Sequence, residues 1–218
     1  MTASSATAGS RDYLDRLRRD IVFSENVRGQ TLNFHTTWGL FSPKGLDAGS
    51  RLLLEHLEIS PEDDTLDLGC GYGPLGLIMA RLAPRGTHVL VDKDFVAVDY
   101  SRKNAELNDI TNVECFLSNG FDQIGRRRFD LIVSNLPAKV SKELYYLYFH
   151  DALAHMKQGA RFYVVTISGI RKFIQKAFQE VFGNYAKIKQ GSTYTVALAR
   201  VPSSRSGQRR DNSGNAAG

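Results

Sequence analysis

The segment from Thr65 to Gly76 runs from an apolar strand through a glycine-rich turn into a helix. Glycines permit a tight turn and let a ligand approach the backbone closely. The glycines of this turn are Gly69, Gly71 and Gly73. Pro74 suits the first turn of a helix. Asp92 follows Gly73 by nineteen residues, at the end of the next apolar strand, where a carboxylate can accept both hydroxyl groups of a ribose. The turn and the acid together predict a site for an adenosine-type cofactor.

Asp67 indicates which adenosine cofactor this site would hold. It precedes Gly69 by two residues, so its carboxylate is expected in the mouth of the site. A negative charge there suits the cationic amino-acid end of S-adenosylmethionine and would repel the pyrophosphate of a dinucleotide. S-adenosylmethionine is therefore the predicted cofactor. An NAD-dependent oxidoreductase, and an ordinary turn beside a surface acid, are the alternatives at this point.

Strand and helix patterns alternate along the middle of the chain, which predicts a parallel sheet with helices on both faces. Two closing strands, near 185–189 and 193–199, are separated only by Gln190–Ser192 and are expected to pair as an antiparallel hairpin. The predicted fold is α/β, a doubly wound, mostly parallel seven-stranded sheet with a C-terminal antiparallel hairpin.

Composition sets the predicted domain organisation. Of 218 residues, 42% are apolar, which suffices for one core. We expect a partly disordered N-terminal extension over 1–30, one domain over 31–200, and a disordered basic tail over 201–218, where Ser, Gly, Asn and Arg dominate. No apolar run approaches the roughly 20 residues of a membrane span, and the polar N-terminus lacks a secretory signal, so we expect a cytoplasmic protein. The oligomeric state stays open.

Charge and metal-ligating residues are less informative. The net charge of +5 suits a polyanion such as RNA, although many cytosolic proteins carry a similar charge. Two cysteines provide no disulfide framework, and the five histidines lack ligand spacing, so no metal site is predicted.

The segment Asp67-Leu68-Gly69-Cys70-Gly71-Tyr72-Gly73 resembles motif I of class I methyltransferases, which have a Rossmann-like fold. Residues 31–200 resemble the methyltransferase small domain family, which includes ribosomal RNA guanine-N2 methyltransferases that act in rRNA processing. Gly39–Asp47 resembles that family's lead-in to its first core helix. The resemblance implies cofactor contacts from the turn and from two later segments. These contacts are Asp67, Gly69, Cys70, Gly71, Gly73, Asp92, Lys93, Asn119, Gly120 and Asn135. The family usually carries Asp at the position of Asn119.

The segment Asn135-Leu136-Pro137-Ala138 resembles the family's substrate motif, Asn-Pro-Pro followed by an aromatic residue. An exocyclic amine is a poor nucleophile because its lone pair is delocalised. The Asn135 side-chain oxygen and the Leu136 carbonyl would accept its two hydrogens and orient that lone pair. The resemblance thus implies Asn135 as the catalytic residue, with Leu136, Pro137 and Lys139 as substrate contacts. Asn135→Asp keeps an acceptor oxygen, so we expect it to be tolerated better than Asn135→Ala.

Ala138 departs from the family because it cannot stack on a planar base, and such stacking is worth about 1–3 kcal/mol. Three aromatic residues are candidates to replace that contact, unless they belong to the core: Trp38, Phe41 and Tyr145.

The predicted function is S-adenosylmethionine-dependent methylation of an amine nitrogen, the exocyclic amine of guanine in ribosomal or other structured RNA. The alternatives are another acceptor, namely adenine, a protein glutamine or a small molecule. A further alternative is a catalytically silent module that binds RNA or a protein partner.

Overall fold

The computed structural model of the protein describes residues 3–203, with side chains from residue 11 onward. The helices are α1 Ala3–Arg18, α2 Ala48–His56, α3 Pro74–Leu82, α4 Phe95–Leu107, α5 Lys142–Ala154 and α6 Arg171–Phe182. The strands are β1 Ile21–Val27, β2 Gln30–Thr36, β3 Thr65–Leu68, β4 His88–Asp92, β5 Val113–Leu117, β6 Phe129–Asn135, β7 Met156–Ile167, β8 Ala186–Gln190 and β9 Tyr194–Arg200.

Within residues 3–203, seven strands form one sheet in the order β5-β4-β3-β6-β7-β9-β8. Strands β3 to β7 pair in parallel, whereas β9 runs antiparallel to both β7 and β8. The predicted doubly wound sheet and its C-terminal antiparallel hairpin are therefore confirmed. The chain order reverses around β3, which lies between β4 and β6. The carboxyl ends of these three strands form the crevice where sheets of this type bind ligands.

Strand β3 is buried on both faces because helices cover each side of the sheet. Leu66 and Leu68 face the core under α5 and α6, where Phe149 and Phe178 pack. Successive strand residues point to opposite faces, so Asp67 points to the other side, toward α3. A carboxylate in that position has to find its hydrogen-bond partners inside the protein.

Side chains at the predicted helix starts satisfy the first amide groups. Pro74 is the first residue of α3, as expected. Asp94 caps α4 by accepting a hydrogen bond from Val96 N at 2.9 Å. Asp47 caps α2 through bonds from the amides of the second and third residues of that helix. These caps fix the loops that follow β4 and precede α2 at the ligand-binding edge of the sheet.

The N-terminal region contains a hairpin that the sequence analysis did not identify. Strands β1 and β2 pair antiparallel around the two-residue turn Arg28-Gly29. Inward and outward residues alternate along β1, which is the pattern of a strand with one face packed. The predicted boundary between residues 30 and 31 falls inside the hairpin.

Asn104 of α4 and Asn108, the residue directly after this helix, bind the open edge of β2. Asn104 Oδ1 accepts from His35 N at 2.7 Å, and its Nδ2 donates to His35 O at 2.9 Å. Asn108 repeats this pair of bonds with Asn33 at 2.9 and 2.7 Å. Four residues of a helix rise about 6 Å and two residues of a strand about 6.6 Å, so the two spacings match. The side-chain amides thus take the place of a neighbouring strand.

The last fifteen residues of the predicted basic tail, 204–218, lie outside the described residues. Residues 201–203 follow β9 without helix or strand structure. None of the helices in residues 3–203 combines the length and the apolar character needed to cross a lipid bilayer.

Candidate cofactor and acceptor site

A cavity of about 480 Å³ opens at the carboxyl ends of β3, β4 and β6. Its lining includes the glycine-rich turn, Asp92, Gly120 and the segment Asn135–Ala138. These segments are far apart in the chain, and the topology of the sheet brings them to one edge. The predicted cofactor turn and the predicted substrate motif therefore face the same space.

The turn after β3 adopts a backbone that favours glycine. The φ angles are 78° at Gly69, 56° at Gly71 and 94° at Gly73, all in the left-handed region. A Cβ atom built on Gly69 or Gly71 would meet no atom within 4 Å. Glycine is thus needed there for the backbone conformation, and the space in front of the turn is open to a ligand.

Asp92 ends β4 beside this turn and is half-buried. Its Oδ2 accepts from Gly71 N at 2.9 Å, and its Oδ1 accepts from Asp94 N at 3.0 Å. Each carboxylate oxygen has a further lone pair, so both can still accept a hydroxyl group. Lys93 is exposed and also lines the cavity. This geometry suits the role of ribose acceptor that was predicted for Asp92.

Asp67 lies fully buried beneath the turn, and its side chain is not part of the cavity lining. Its Oδ2 accepts from Gly76 N, in the first turn of α3, at 2.8 Å. Its Oδ1 has no hydrogen-bond partner within the described part of the chain. Burial raises the pKa of this carboxyl to about 7. An unpaired buried carboxylate oxygen is costly, and a cationic ligand group that reached it would supply the missing donor. The carboxylate was expected in the mouth of the site, but it lies beneath the turn, because it is held by Gly76 N on the α3 side of the sheet. A contact between Asp67 and the ammonium end of a cofactor stays a prediction.

Cys70 contributes its backbone to the turn, and its amide donates to Val91 O at 2.9 Å. The side chain is buried, with Sγ 3.5 Å from Ser101 Oγ. Burial holds the pKa of this thiol well above its usual value, so the sulfur is not a thiolate nucleophile.

The segment after β5 meets the cavity only in part. Gly120 lines it, with φ at 59°, and a Cβ there would come within 2.9 Å of the Tyr148 ring. Asn119 is exposed and lies outside the cavity lining, with its Nδ2 donating to Asp122 Oδ2 at 3.2 Å. Tyr148 lines the cavity, and no motif in the sequence had indicated it. A cofactor contact from Asn119 stays a prediction.

Asn135 ends β6 at the cavity wall with its amide group fixed. Its Nδ2 donates to Asp47 Oδ2 at 2.9 Å and to Ser50 Oγ at 3.0 Å. A carboxylate can only accept, so the amide nitrogen has to face Asp47. The carbonyl oxygen is the Asn135 atom that remains to meet a ligand.

Asp47 is the residue that the sequence analysis missed. Its Oδ2 accepts from two amides at the start of α2 as well as from Asn135, and its Oδ1 accepts from Tyr194 OH at 3.0 Å. The sequence indicated Asp47 only as the end of a family segment before α2. Its contact with Asn135 joins residues 88 positions apart in the chain, and no local pattern reveals such a pair.

This contact reverses the expected tolerance of two Asn135 variants. Asn135→Asp would place a second carboxylate against Asp47 Oδ2, where the wild type has an amide donor at 2.9 Å. Like charges at that distance repel strongly in a half-buried site. The contact with Asp47 therefore predicts the opposite order, in which Asn135→Asp is tolerated no better than Asn135→Ala.

The residues after Asn135 differ in their surroundings. Leu136 is buried, and its amide donates to Val165 O at 3.1 Å. Pro137 is exposed, and its carbonyl oxygen accepts from Tyr145 OH. Lys139 is exposed and does not line the cavity. Leu136 and Pro137 are thus placed to meet an acceptor inside the cavity, whereas Lys139 stands outside it.

A profile of the methyltransferase small domain family matches residues 31–198. This chain belongs to the methyltransferase small domain family. The match covers the hairpin strand β2 and the sheet through most of β9, so the family's sequence pattern and the observed fold agree.

Relatives within the methyltransferase small domain family extend along most of the chain. The uncharacterized protein YbxB of Bacillus subtilis (strain 168) is 32% identical over 184 residues, which cover 82% of this chain and 90% of YbxB. Ribosomal RNA small subunit methyltransferase C of Escherichia coli (strain SMS-3-5 / SECEC) is 32% identical over 198 residues, which cover 86% of this chain and 56% of the relative.

A solved structure of a similar protein is that of the T. thermophilus 16S rRNA N2 methyltransferase RsmC in complex with AdoMet and guanosine. The TM-score is 0.75 at 29% sequence identity, over 83% of this chain and 50% of that chain. This member of the methyltransferase small domain family thus spans about half the length of the ribosomal RNA methyltransferases that it matches.

Proposed function

We propose that this chain is an S-adenosylmethionine-dependent methyltransferase that acts on the exocyclic amine of guanine in ribosomal or other structured RNA. The observation that carries this proposal is that the glycine-rich turn with Asp92 and the fixed amide of Asn135 line one cavity. A cofactor on the turn and an acceptor at Asn135 would therefore meet within it.

When bound, S-adenosylmethionine supplies an electrophilic methyl group. The glycine-rich turn and the Asp92 carboxylate would hold its adenosine part, and its ammonium end would lie over the turn, above the buried Asp67. Gly120 and Tyr148 close the cavity on the side of β5, at the place expected for the adenine.

The residues at the end of β6 would hold the acceptor. The Asn135 side-chain oxygen accepts one hydrogen of the amine, and the Leu136 carbonyl accepts the other. The lone pair of the nitrogen then points at the methyl group, and positioning of this kind lowers a barrier by up to roughly 7–11 kcal/mol in favourable cases. The amine becomes acidic only as it is alkylated, so its proton can leave to water without a strong base.

RNA as the acceptor is supported by the relatives and by the charge of the chain. Ribosomal RNA small subunit methyltransferase C and RsmC are named for rRNA methylation, and RsmC was solved with guanosine. The net charge of +5 favours a polyanion, and Lys139 would meet a phosphate outside the cavity. Such a substrate would place the protein in the cytoplasm.

The acceptor class can be tested directly. The protein is incubated with methyl-labelled S-adenosylmethionine and with separate RNA, protein and metabolite fractions of the source cell. We expect label in the RNA fraction and none above background with Asn135→Ala. Label in protein or metabolites would replace RNA as the acceptor.

Leu136 and Ala138 depart from the family's substrate motif, which favours one further candidate, a catalytically silent module that binds RNA or a protein partner. Calorimetry with S-adenosylmethionine distinguishes the two candidates when it is combined with the labelling experiment. A silent module would transfer no label to any fraction even where the cofactor binds.

A further inference from the structure

The loop between β2 and α2 is held by hydrogen bonds along its length. Thr36 Oγ1 donates to Pro43 O, and Ser42 Oγ donates to Gly45 O at 2.8 Å. Tyr72, which belongs to the glycine-rich turn, donates its hydroxyl to the same Gly45 carbonyl at 3.1 Å. The loop is therefore fixed both internally and against the cofactor turn.

This fixed loop carries an exposed aromatic residue into the cavity. Phe41 is 63% exposed, and it lines the cavity together with Asn135 and Ala138. The next residue, Ser42, has a φ angle of 48°, a left-handed conformation that is uncommon outside glycine. Backbone strain of this type concentrates at ligand-binding sites. A large apolar ring held exposed beside a strained residue indicates a surface that a ligand covers.

The other two aromatic candidates do not offer a ring to the cavity. Trp38 is 47% exposed, but it does not line the cavity, and the Lys44 ammonium lies 5.1 Å from the centre of its ring. Tyr145 is 3% exposed, and it packs against Phe149 and Phe173. Both rings are thus in contact with other side chains of the protein and do not face the cavity.

We propose that Phe41 is the platform on which the planar acceptor base stacks, in place of the aromatic residue that the family carries at the position of Ala138. The same loop ends at Asp47, whose carboxylate fixes Asn135 at 2.9 Å. One segment would thus orient both the ring that stacks on the base and the amide that accepts from its amine. This inference rests on the proposed function.

The kinetic test compares Phe41→Ala with Trp38→Ala, which removes an exposed ring of the same loop that lies outside the cavity. RNA from ribosomal subunits is the acceptor, and labelled S-adenosylmethionine is saturating. We expect Phe41→Ala to raise the KM for RNA about 5- to 150-fold, the loss of about 1–3 kcal/mol of stacking at 1.4 kcal/mol per tenfold. Trp38→Ala and Phe41→Tyr should stay within about twofold of the wild type.

A second variant tests the replacement itself. Phe41→Ala combined with Ala138→Phe restores a ring at the family's position. The KM for RNA of this double variant should return most of the way to the wild-type value. The KM of Phe41→Leu, which keeps an apolar side chain without a ring, should not. If Phe41→Leu and Phe41→Tyr had the same KM for RNA, Phe41 would not act by stacking on the base.

Binding is measured separately with 2-aminopurine riboside, a fluorescent planar base with the amine at the same position as guanine. Its fluorescence should be quenched by the wild type and by Phe41→Tyr, and not by Phe41→Ala. The Kd for S-adenosylmethionine should not change. A loss confined to cofactor affinity would overturn the proposal, because Phe41 would then cover the cofactor.

Failure of this inference can be told apart from failure of the proposed function. If the wild type labels RNA and Phe41→Ala does so with the same KM, only the role of Phe41 is overturned. If the wild type labels no RNA, the proposed function is overturned, and this inference with it.

Discussion

Asn135 ends β6 with both amide hydrogens engaged, one by Asp47 and the other by Ser50. An asparagine held in this way cannot exchange its oxygen and nitrogen positions without bringing two acceptors together. The acceptor oxygen is therefore fixed before any substrate arrives. Preorganised acceptors of this kind contribute to catalysis because they need not reorient during the reaction.

A charge swap tests this pair. Asn135→Asp alone should lose activity at least as severely as Asn135→Ala and should also destabilise the protein, because two carboxylates would face each other. Adding Asp47→Asn restores a donor and an acceptor at the contact, so the double variant should recover stability and part of the kcat. Thermal unfolding and turnover are measured for the wild type, Asn135→Asp, Asp47→Asn and the double variant. Additive effects in the double variant would show that the two side chains are not coupled.

Asp92 should determine the affinity for the cofactor. Asp92→Ala removes the acceptor proposed for the ribose hydroxyl groups, and each hydrogen bond to a charged group is worth about 1.5–3 kcal/mol. The Kd for S-adenosylmethionine, measured by calorimetry, should therefore rise at least about tenfold. Asp99→Ala, which removes an exposed carboxylate of α4 outside the cavity lining, is the control. Equal affinities for Asp92→Ala and wild type would exclude Asp92 as the ribose ligand.

The buried Asp67 makes stability depend on pH. Its pKa is raised by burial from the ordinary 3.8 to about 7, so between these values the folded protein holds a proton that the unfolded chain has released. The contribution of Asp67 to the unfolding free energy is therefore greatest below pH 3.8, the pKa of this group in the unfolded chain. It falls as the pH rises to about 7, by up to about 1.4 kcal/mol per pH unit.

Asp67→Asn has no such proton and can still accept from Gly76 N. The unfolding free energy of the cofactor-free variant should therefore fall less than that of the wild type between about pH 4 and about pH 7, as measured by urea denaturation. Parallel pH profiles for the two proteins would contradict the shifted pKa of Asp67.

At the scale of elements, the β1–β2 hairpin joins the domain through side chains instead of strand pairing. Asn104 binds both backbone groups of His35, and its Nδ2 also donates to Tyr72 O at 2.9 Å in the cofactor turn. The hairpin and the cofactor turn therefore share one buried side chain. Loss of that side chain should affect both.

Asn104→Ala leaves three backbone groups without their partner, of which Tyr72 O is buried and the two groups of His35 are partly buried. At about 1–3 kcal/mol for each unsatisfied group, partly relieved by water, we expect a loss of about 2–4 kcal/mol in unfolding free energy and a weaker affinity for S-adenosylmethionine. Glu106→Ala, on the exposed side of α4, is the control and should change stability by less than about 0.5 kcal/mol. Urea denaturation and calorimetry measure the two effects. A stable variant with normal cofactor affinity would show that the hairpin is not coupled to the site.

The sheet could be predicted from the sequence because local signals specify it. Apolar strands alternate with helices, and α3 begins at Pro74, where a helix start was expected. The hairpin was missed because its turn, Arg28-Gly29, is not a strong turn pair, and its edge partners are the distant side chains of Asn104 and Asn108.

The candidate site was predictable where a single segment specifies it. The glycine-rich turn follows β3, and Asp92 ends the neighbouring strand β4. The residue types of each segment indicate the chemistry. The contact between Asp47 and Asn135, and the exposure of Phe41, depend on the folded arrangement of distant segments. No pattern within one segment encodes them.

At the scale of the whole molecule, the chain spans about half the length of the ribosomal RNA methyltransferases that it matches, with 56% coverage of the relative from E. coli and 50% of RsmC. The cavity of about 480 Å³ is lined by both the cofactor turn with Asp92 and the acceptor segment that begins at Asn135. The chemistry should therefore be intrinsic to this chain.

The identity of the methylated nucleoside tests this account most directly. RNA from ribosomal subunits is incubated with the wild type or Asn135→Ala and methyl-labelled S-adenosylmethionine, then digested and separated by chromatography with mass spectrometry. The account predicts labelled N2-methylguanosine with the wild type and at least about a hundredfold less with Asn135→Ala, as expected for loss of a positioning contact in the transition state. Label in any other nucleoside, or equal label with both proteins, would contradict it.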